Sequence, residues 1–115
     1  MEPLLEAGIN FFNKERYFEA HEAWEDLWRL TTGPARLFYQ GLIQTAVGLY
    51  HLNRGNTRGA REQLSKALSK LGEYPSDFCR IYNGELVKEI RNLLENPDRR
   101  RIQIIRFESS LPRDA

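Results

Sequence analysis

The chain has 115 residues, 41% apolar and 29% charged, with 17 Lys and Arg against 16 Asp and Glu. That size predicts one core and one domain, and the balanced charge leaves no net field for nucleic acid or an anionic membrane. The lone Cys79 forms no internal disulfide, and neither a basic signal start nor a bilayer-length apolar run is present, so a cytoplasmic, soluble protein is expected.

Taken in order, Leu4, Leu5, Gly8, Ile9 and Phe12 recur at helical spacing, and Pro3 suits a first turn, predicting a helix from Pro3 to Asn13. Tyr17, Ala20, His21, Trp24, Leu27 and Trp28 mark a second helix, closed by Thr32-Gly33-Pro34. From Ala35 to Arg54 the pattern is apolar on nearly every side, the mark of a central helix, and Gly55 ends it. A fourth helix carries Ala60, Leu64, Ala67, Leu68 and Leu71 and stops at Gly72 and Pro75. A fifth carries Leu86, Val87, Ile90, Leu93 and Leu94 and stops before Pro97.

A shift of forty places lays Phe12-Asn13 on Leu52-Asn53, Ala20 on Ala60, Glu22 on Glu62, Trp24 on Leu64 and Trp28 on Leu68. The expected fold is therefore all-α. It is a compact bundle of about five helices, two tetratricopeptide-like hairpins and a closing C-terminal helix, because two hairpins are too few for an open solenoid. The expected domain spans residues 1–96. Ile102, Ile104 and Ile105 are compatible with a short extended segment, but the charged Arg99 to Arg101 and the polar end point instead to residues 97–115 as a tail packed on the surface or partly disordered.

The polar residues of the second helix make its chemistry distinctive. FEAHEAWEDLW, Phe18 to Trp28, opens on His21-Glu22 but lacks the second histidine of HExxH. His21 and Trp24 share the inward side with Trp28, Glu25 lies beside them, and Gln40, Gln44 and His51 stripe the third helix. The short link between these helices makes them antiparallel, so contacting residue numbers should sum to about 65. This pairs Trp28 with Leu37, Glu25 with Gln40, Trp24 with Gly41, His21 with Gln44 and Tyr17 with Gly48. His51 falls about 10 Å beyond Gln44 along the axis, away from His21.

Two readings follow for His21, Glu22, Glu25, Gln40, Gln44, Trp24, Trp28 and His51. One is a buried polar seam within a non-catalytic module that binds a protein partner or itself. In that reading no residue is assigned as catalytic, no metal or other cofactor is expected, and neither nucleic acid nor a membrane is a partner. The alternative is a small metal- or acid–base-dependent enzyme using His21, Glu22 and Glu25. Cys79 is read as a half-buried residue, not a nucleophile, and Arg99 to Arg101 as a solvated triplet.

FN-x3-YFEAHE-x2-E-x2-W at Phe12 to Trp28, F-x-QGLIQ-x-A-x4-H at Phe38 to His51, and RGN-x2-GA at Arg54 to Ala60 resemble the all-helical family known as domain of unknown function 309, found in bacteria, archaea and plastid-bearing plants. The likeness covers residues about 10 to 95 and departs at Trp24, where leucine is frequent. It implies a helical bundle and carries no activity.

Overall fold

Each expected helix forms in the computed structural model, which describes residues 1–99, 102 and 104. They are α1 (Pro3–Asn13), α2 (Tyr17–Leu30), α3 (Ala35–Asn53), α4 (Thr57–Leu71) and α5 (Asn83–Glu95), with short 3-10 turns at Phe78–Arg80 and Pro97–Arg99. Among the described residues there is no β-strand, and no helix is long and apolar enough to cross a membrane. The fold is an all-α bundle.

The ends follow from local chemistry. Glu2 caps α1 by accepting from the Leu4 and Leu5 amides at 2.6 and 3.2 Å, and Asn56 caps α4 by accepting from Gly59 at 2.9 Å. Each satisfies donors that a helix start leaves without intrahelical partners. Gly55 takes the left-handed conformation at φ 82° that closes α3, as a C-terminal glycine does. Gly72 differs from the expected stop: at φ −65° it is right-handed. Its amide still bonds Leu68, and the chain leaves the helix over the next residues toward Pro75.

The forty-residue repeat is present in the backbone itself. Lys14, Glu15 and Arg16 donate to Phe11, Phe12 and Phe11, while Arg54, Gly55 and Asn56 donate to His51, Leu52 and His51. Ala20 then donates to Arg16 as Ala60 does to Asn56. Even the left-handed residue recurs, Glu15 at φ 64° standing where the second hairpin has Gly55.

α1 packs on α2, α2 on α3, α3 on α4, and α4 on α5. The core runs through them: Leu5, Ile9 and Phe12 of α1, Ala20, Trp24 and Leu27 of α2, Phe38, Leu42, Ala46 and Leu49 of α3, Leu64, Ala67 and Leu71 of α4, and Leu86, Ile90 and Leu93 of α5. Close approach is set by glycine. A Cβ on Gly8 would overlap the Trp24 indole, and one on Gly48 would lie 2.7 Å from Leu64 Cγ. These two notches occupy equivalent places in the two hairpins, each filled by the bulky residue of its own second helix. A third, Gly41, would put a Cβ 2.8 Å from Leu71.

The loop after α4 is drawn back onto α3 by three rings, Phe38, Tyr74 and Phe78, whose centroids lie 4.7–5.2 Å apart. Buried Asn83 donates its side-chain amide to the carbonyls of Leu71, Tyr74 and Pro75. One side chain thereby ties the end of α4 and the loop to the start of α5.

Beyond α5, Ile102 and Ile104 are buried, 4% and 1% exposed, so the core continues past residue 96. Residues 100, 101, 103 and 105–115 of the expected tail, Ile105 among them, lie outside the described residues.

Candidate functional site

The faces of α2 and α3 are set by packing before polarity has a say. Burying a large apolar side chain contributes about 1.5–3 kcal/mol. An exposed ion pair contributes about 0.2–1 kcal/mol. Trp24 is wholly buried, and its ring turns toward α1, where the indole Nε1 donates to the Leu5 carbonyl at 3.2 Å. Phe12 lies 5.8 Å from it and Tyr17 lies 5.1 Å from Phe12.

The expected pairs of Trp24 with Gly41 and of Tyr17 with Gly48 are therefore corrected. Those glycines receive Leu71 and Leu64 from α4, not rings from α2. The tight notch in reach of Trp24 is Gly8. α3 is apolar or small-sided on both flanks of its Gln40–Gln44–His51 stripe, so its sequence alone does not distinguish the face meeting α2 from the face meeting α4.

The antiparallel register itself holds. Arg36 places its guanidinium 3.9 Å above the Trp28 ring, and Phe18 meets Tyr50 at 6.3 Å. Leu37, expected beside Trp28, is 56% exposed, and its neighbour Arg36 covers the indole instead. Trp28 Nε1 is buried without an acceptor among the described residues, while the Trp24 indole finds its acceptor on α1 rather than across the α2–α3 contact.

His21 and Glu25 do meet, Nε2 to Oε2 at 3.2 Å, one turn apart on their own helix. Glu25 also receives Arg29 at 3.0 Å, and Arg29 reaches Asp26 at 3.0 Å. The result is a four-member polar chain along α2. His21 is half-buried beneath the exposed Phe18 ring, 5.9 Å away, while Glu22 is exposed. Asp26, placed by helical geometry on the solvated side, joins this chain only through Arg29.

Gln44 accepts from Lys70 of α4 at 3.1 Å, where the seam reading places His21 as its partner. Gln40 is half-buried. His51, at the end of α3, has Nδ1 3.5 Å from the amide of Asn56 and its ring 6.1 Å from Tyr50. The two histidines thus engage different groups. Among the described residues, no three His, Cys, Asp or Glu side chains converge as a ligand set.

Titration is perturbed elsewhere. Burial pushes the Tyr39 hydroxyl and the Cys79 thiol up, and the two lie 3.8 Å apart. Cys79 is half-buried, as the sequence reading has it. The Arg16 guanidinium, at 2.8 Å, lowers the Glu19 carboxyl.

Three residues that sequence reasoning left aside gain a place here. Phe18 is 53% exposed, and with Tyr50 and Arg54 it lines an open groove where the α1–α2 turn meets the end of α3. Arg54 lies 5.2 Å over the Tyr50 ring. A residue-number sum of about 65 puts Phe18 opposite Val47, so Tyr50 lies about one turn past the expected level and the sequence pointed to this end of α3 but not to this pair.

The family model described as Domain of unknown function (DUF309) matches residues 5–63. An uncharacterized protein of Bacillus subtilis (strain 168), YpuF, is 36% identical over 61 residues, covering 52% of this chain and 35% of its own. An uncharacterized protein of Aquifex aeolicus (strain VF5) is 27% identical over 92 residues, 79% of this chain and 28% of its own. The chain thus spans about a third of the length of these relatives. The matched span contains nearly all of the first hairpin, all of α3 and the start of α4, with Gly8, Gly41 and Gly48 and the turns after α1 and α3, and the chain belongs to the DUF309 family.

Proposed function

We propose that the chain is a non-catalytic helical interaction module that binds a protein segment through the groove between its hairpins. The observation that carries this reading is Phe18. A large ring 53% exposed, tilted against both His21 and Tyr50 and bordered by the Arg54–Tyr50 contact, has the composition of a binding anchor. Aromatic residues and arginine are the side chains enriched where interfaces carry their energy. His21 then works as support, packing under Phe18 while Glu25 holds its ring nitrogen. This reading places the protein in the cytoplasm, where its single cysteine stays reduced.

Site-specific photocrosslinking tests it. A benzophenone side chain at position 18 should give discrete adducts in cells that disappear with Tyr50→Ala and Arg54→Glu, while one at exposed Arg58 should give none of them. Identical adducts at both positions, or adducts indifferent to Tyr50 and Arg54, would overturn the groove as the binding surface. Sedimentation of the purified chain separates self-association from binding to another protein.

A further inference from the structure

Among the described residues three arginines lie over aromatic rings: Arg16 at 5.6 Å from Phe11, Arg36 at 3.9 Å from Trp28 and Arg54 at 5.2 Å from Tyr50. Two of them also donate to an oxygen. Arg16 donates to the Glu19 carboxylate at 2.8 Å and Arg36 to the Thr31 carbonyl at 3.1 Å. The Arg54 guanidinium has no acceptor among the described residues. Its N–H donors are held beside a ring and unspent on the fold.

The hairpin turn does not call for this pair. Forty places earlier the first hairpin has Asn10 where the second has Tyr50, and Lys14 where it has Arg54, yet the two turns make the same amide–carbonyl bonds. What Tyr50 and Arg54 share is the groove of about 360 Å³ that they line with Phe18. Its described rim carries Glu15 and Glu19 against Arg16 and Arg54, a balanced set in which Arg16 is already paired with Glu19. Two carboxylates on the rim repel a phosphate, whose charge is about −1.5 to −2, whereas one carboxylate matches one unspent guanidinium.

We infer that the groove recognises an acidic–apolar segment of a protein partner, in which an aromatic or aliphatic side chain packs on Phe18 and Tyr50 and a neighbouring Asp or Glu pairs with Arg54. The inference rests on the Phe18 groove proposed above and specifies its partner. The 5.2 Å between the Tyr50 ring and the guanidinium is spanned by one or two residues of extended chain, at about 3.3–3.6 Å each, so the acid and the apolar residue lie that close in sequence. Contact with the ring fixes the guanidinium plane, and a carboxylate accepts two parallel N–H bonds from such a plane. The apolar contact supplies affinity, and the ion pair supplies the choice of partner.

Selection of randomised peptides displayed on phage against the immobilised full chain tests this, with Phe18→Ser and Arg54→Glu chains of verified helicity selected in parallel. The unsubstituted chain should enrich peptides with Asp or Glu one or two residues from an aromatic or aliphatic side chain. Arg54→Glu should keep the apolar preference and exchange the acid for Lys or Arg, and Phe18→Ser should enrich neither. A synthetic peptide from the first pool should bind Arg54→Gln at least about tenfold more weakly than the unsubstituted chain, the order expected for hydrogen bonds to a charged group. Its Asn or Gln counterpart should bind both chains alike. Peptides that depend on Phe18 but carry no acid, or acid enrichment that persists with Arg54→Glu, overturn this inference and leave the groove standing. Displacement of the peptide by inorganic phosphate at a concentration where acetate has no effect shows a phosphate site and also overturns it. Pools indifferent to Phe18, or no enrichment at all, overturn the groove and this inference together.

Discussion

The two hairpins share a backbone and differ in what they load onto it. Both turn through the same set of amide–carbonyl bonds, and both seat a bulky residue of the second helix in a glycine notch of the first, Trp24 on Gly8 and Leu64 on Gly48. His21, Glu22 and Glu25 of α2 correspond to Arg61, Glu62 and Ser65 of α4, all three exposed. The polar cluster therefore occupies positions that hairpin packing leaves outward. In the first hairpin part of that outward face meets α3, and Phe18 and Tyr50 make a groove there.

The largest expected effect tests whether Trp24 and Leu64 are counterparts in energy as well as position. Trp24→Ala should destabilise by about 3–5 kcal/mol and Leu64→Ala by about 2–5 kcal/mol, both read from urea unfolding. A loss for Trp24→Ala below that of an ordinary surface substitution would show that the indole does not fill the first notch.

Next come the notches. Gly8→Ala and Gly48→Ala should each cost about 1–3 kcal/mol through overpacking. Because Gly8 meets the indole itself, Gly8→Ala combined with Trp24→Leu should lose less than the two single losses together. Strict additivity would mean that the ring and the glycine do not constrain one another.

The helices were legible in the sequence because caps, glycines and apolar spacing are local signals. Pro3 and Asn13 bound α1 as the spacing required, and the shift that matched Trp24 to Leu64 also matched the turns. Which flank of α3 meets α2 was not legible, since its Gln40–Gln44–His51 stripe is bordered by apolar or small residues on both sides, Tyr50 meeting α2 and Gly41 and Gly48 meeting α4. Gln44 looked like a partner for His21 because both are polar residues at one antiparallel level, yet Gly41 and Gly48 beside it mark the approach of α4, whose Lys70 takes its carbonyl. Asn13 was visible only as one half of a repeated Phe-Asn/Leu-Asn pair. Its hydrogen bonds with the Ile104 backbone depend on a chain path that no local pattern encodes.

A smaller effect concerns the one turn position where the hairpins differ in conformational cost. Gly55 and Glu15 have the same left-handed backbone, at φ 82° and 64°. For a residue with a Cβ this conformation costs about 1–2 kcal/mol. Added glycine gives back about 0.4–1 kcal/mol through the unfolded chain. Glu15→Gly should accordingly raise stability by about 0.5–1 kcal/mol and Gly55→Ala lower it by a similar amount. Changes of the same sign in thermal unfolding would break the equivalence of the turns.

The last comparison bears on the distinctive residues themselves, among which His21 carries the smallest expected effect. His21 is held by Glu25 of its own helix at 3.2 Å, and Gln44 by Lys70 at 3.1 Å, so neither residue supplies the other's polar partner. An i,i+4 pair at partial exposure contributes about 0.3–0.5 kcal/mol, so His21→Ala should cost little more than that through Glu25. Gln44→Ala should cost about 0.5–1.5 kcal/mol through the lost hydrogen bond. The double variant should equal their sum within about 0.3–0.5 kcal/mol, as for residues without shared partners. A coupling above about 1 kcal/mol in a denaturation cycle would restore a direct seam between α2 and α3, since only residues in contact or in one network couple so strongly. Additivity leaves His21 with a local role on α2, where the half-buried imidazole supports the exposed Phe18 ring and joins the cluster to the groove that Phe18 forms with Tyr50.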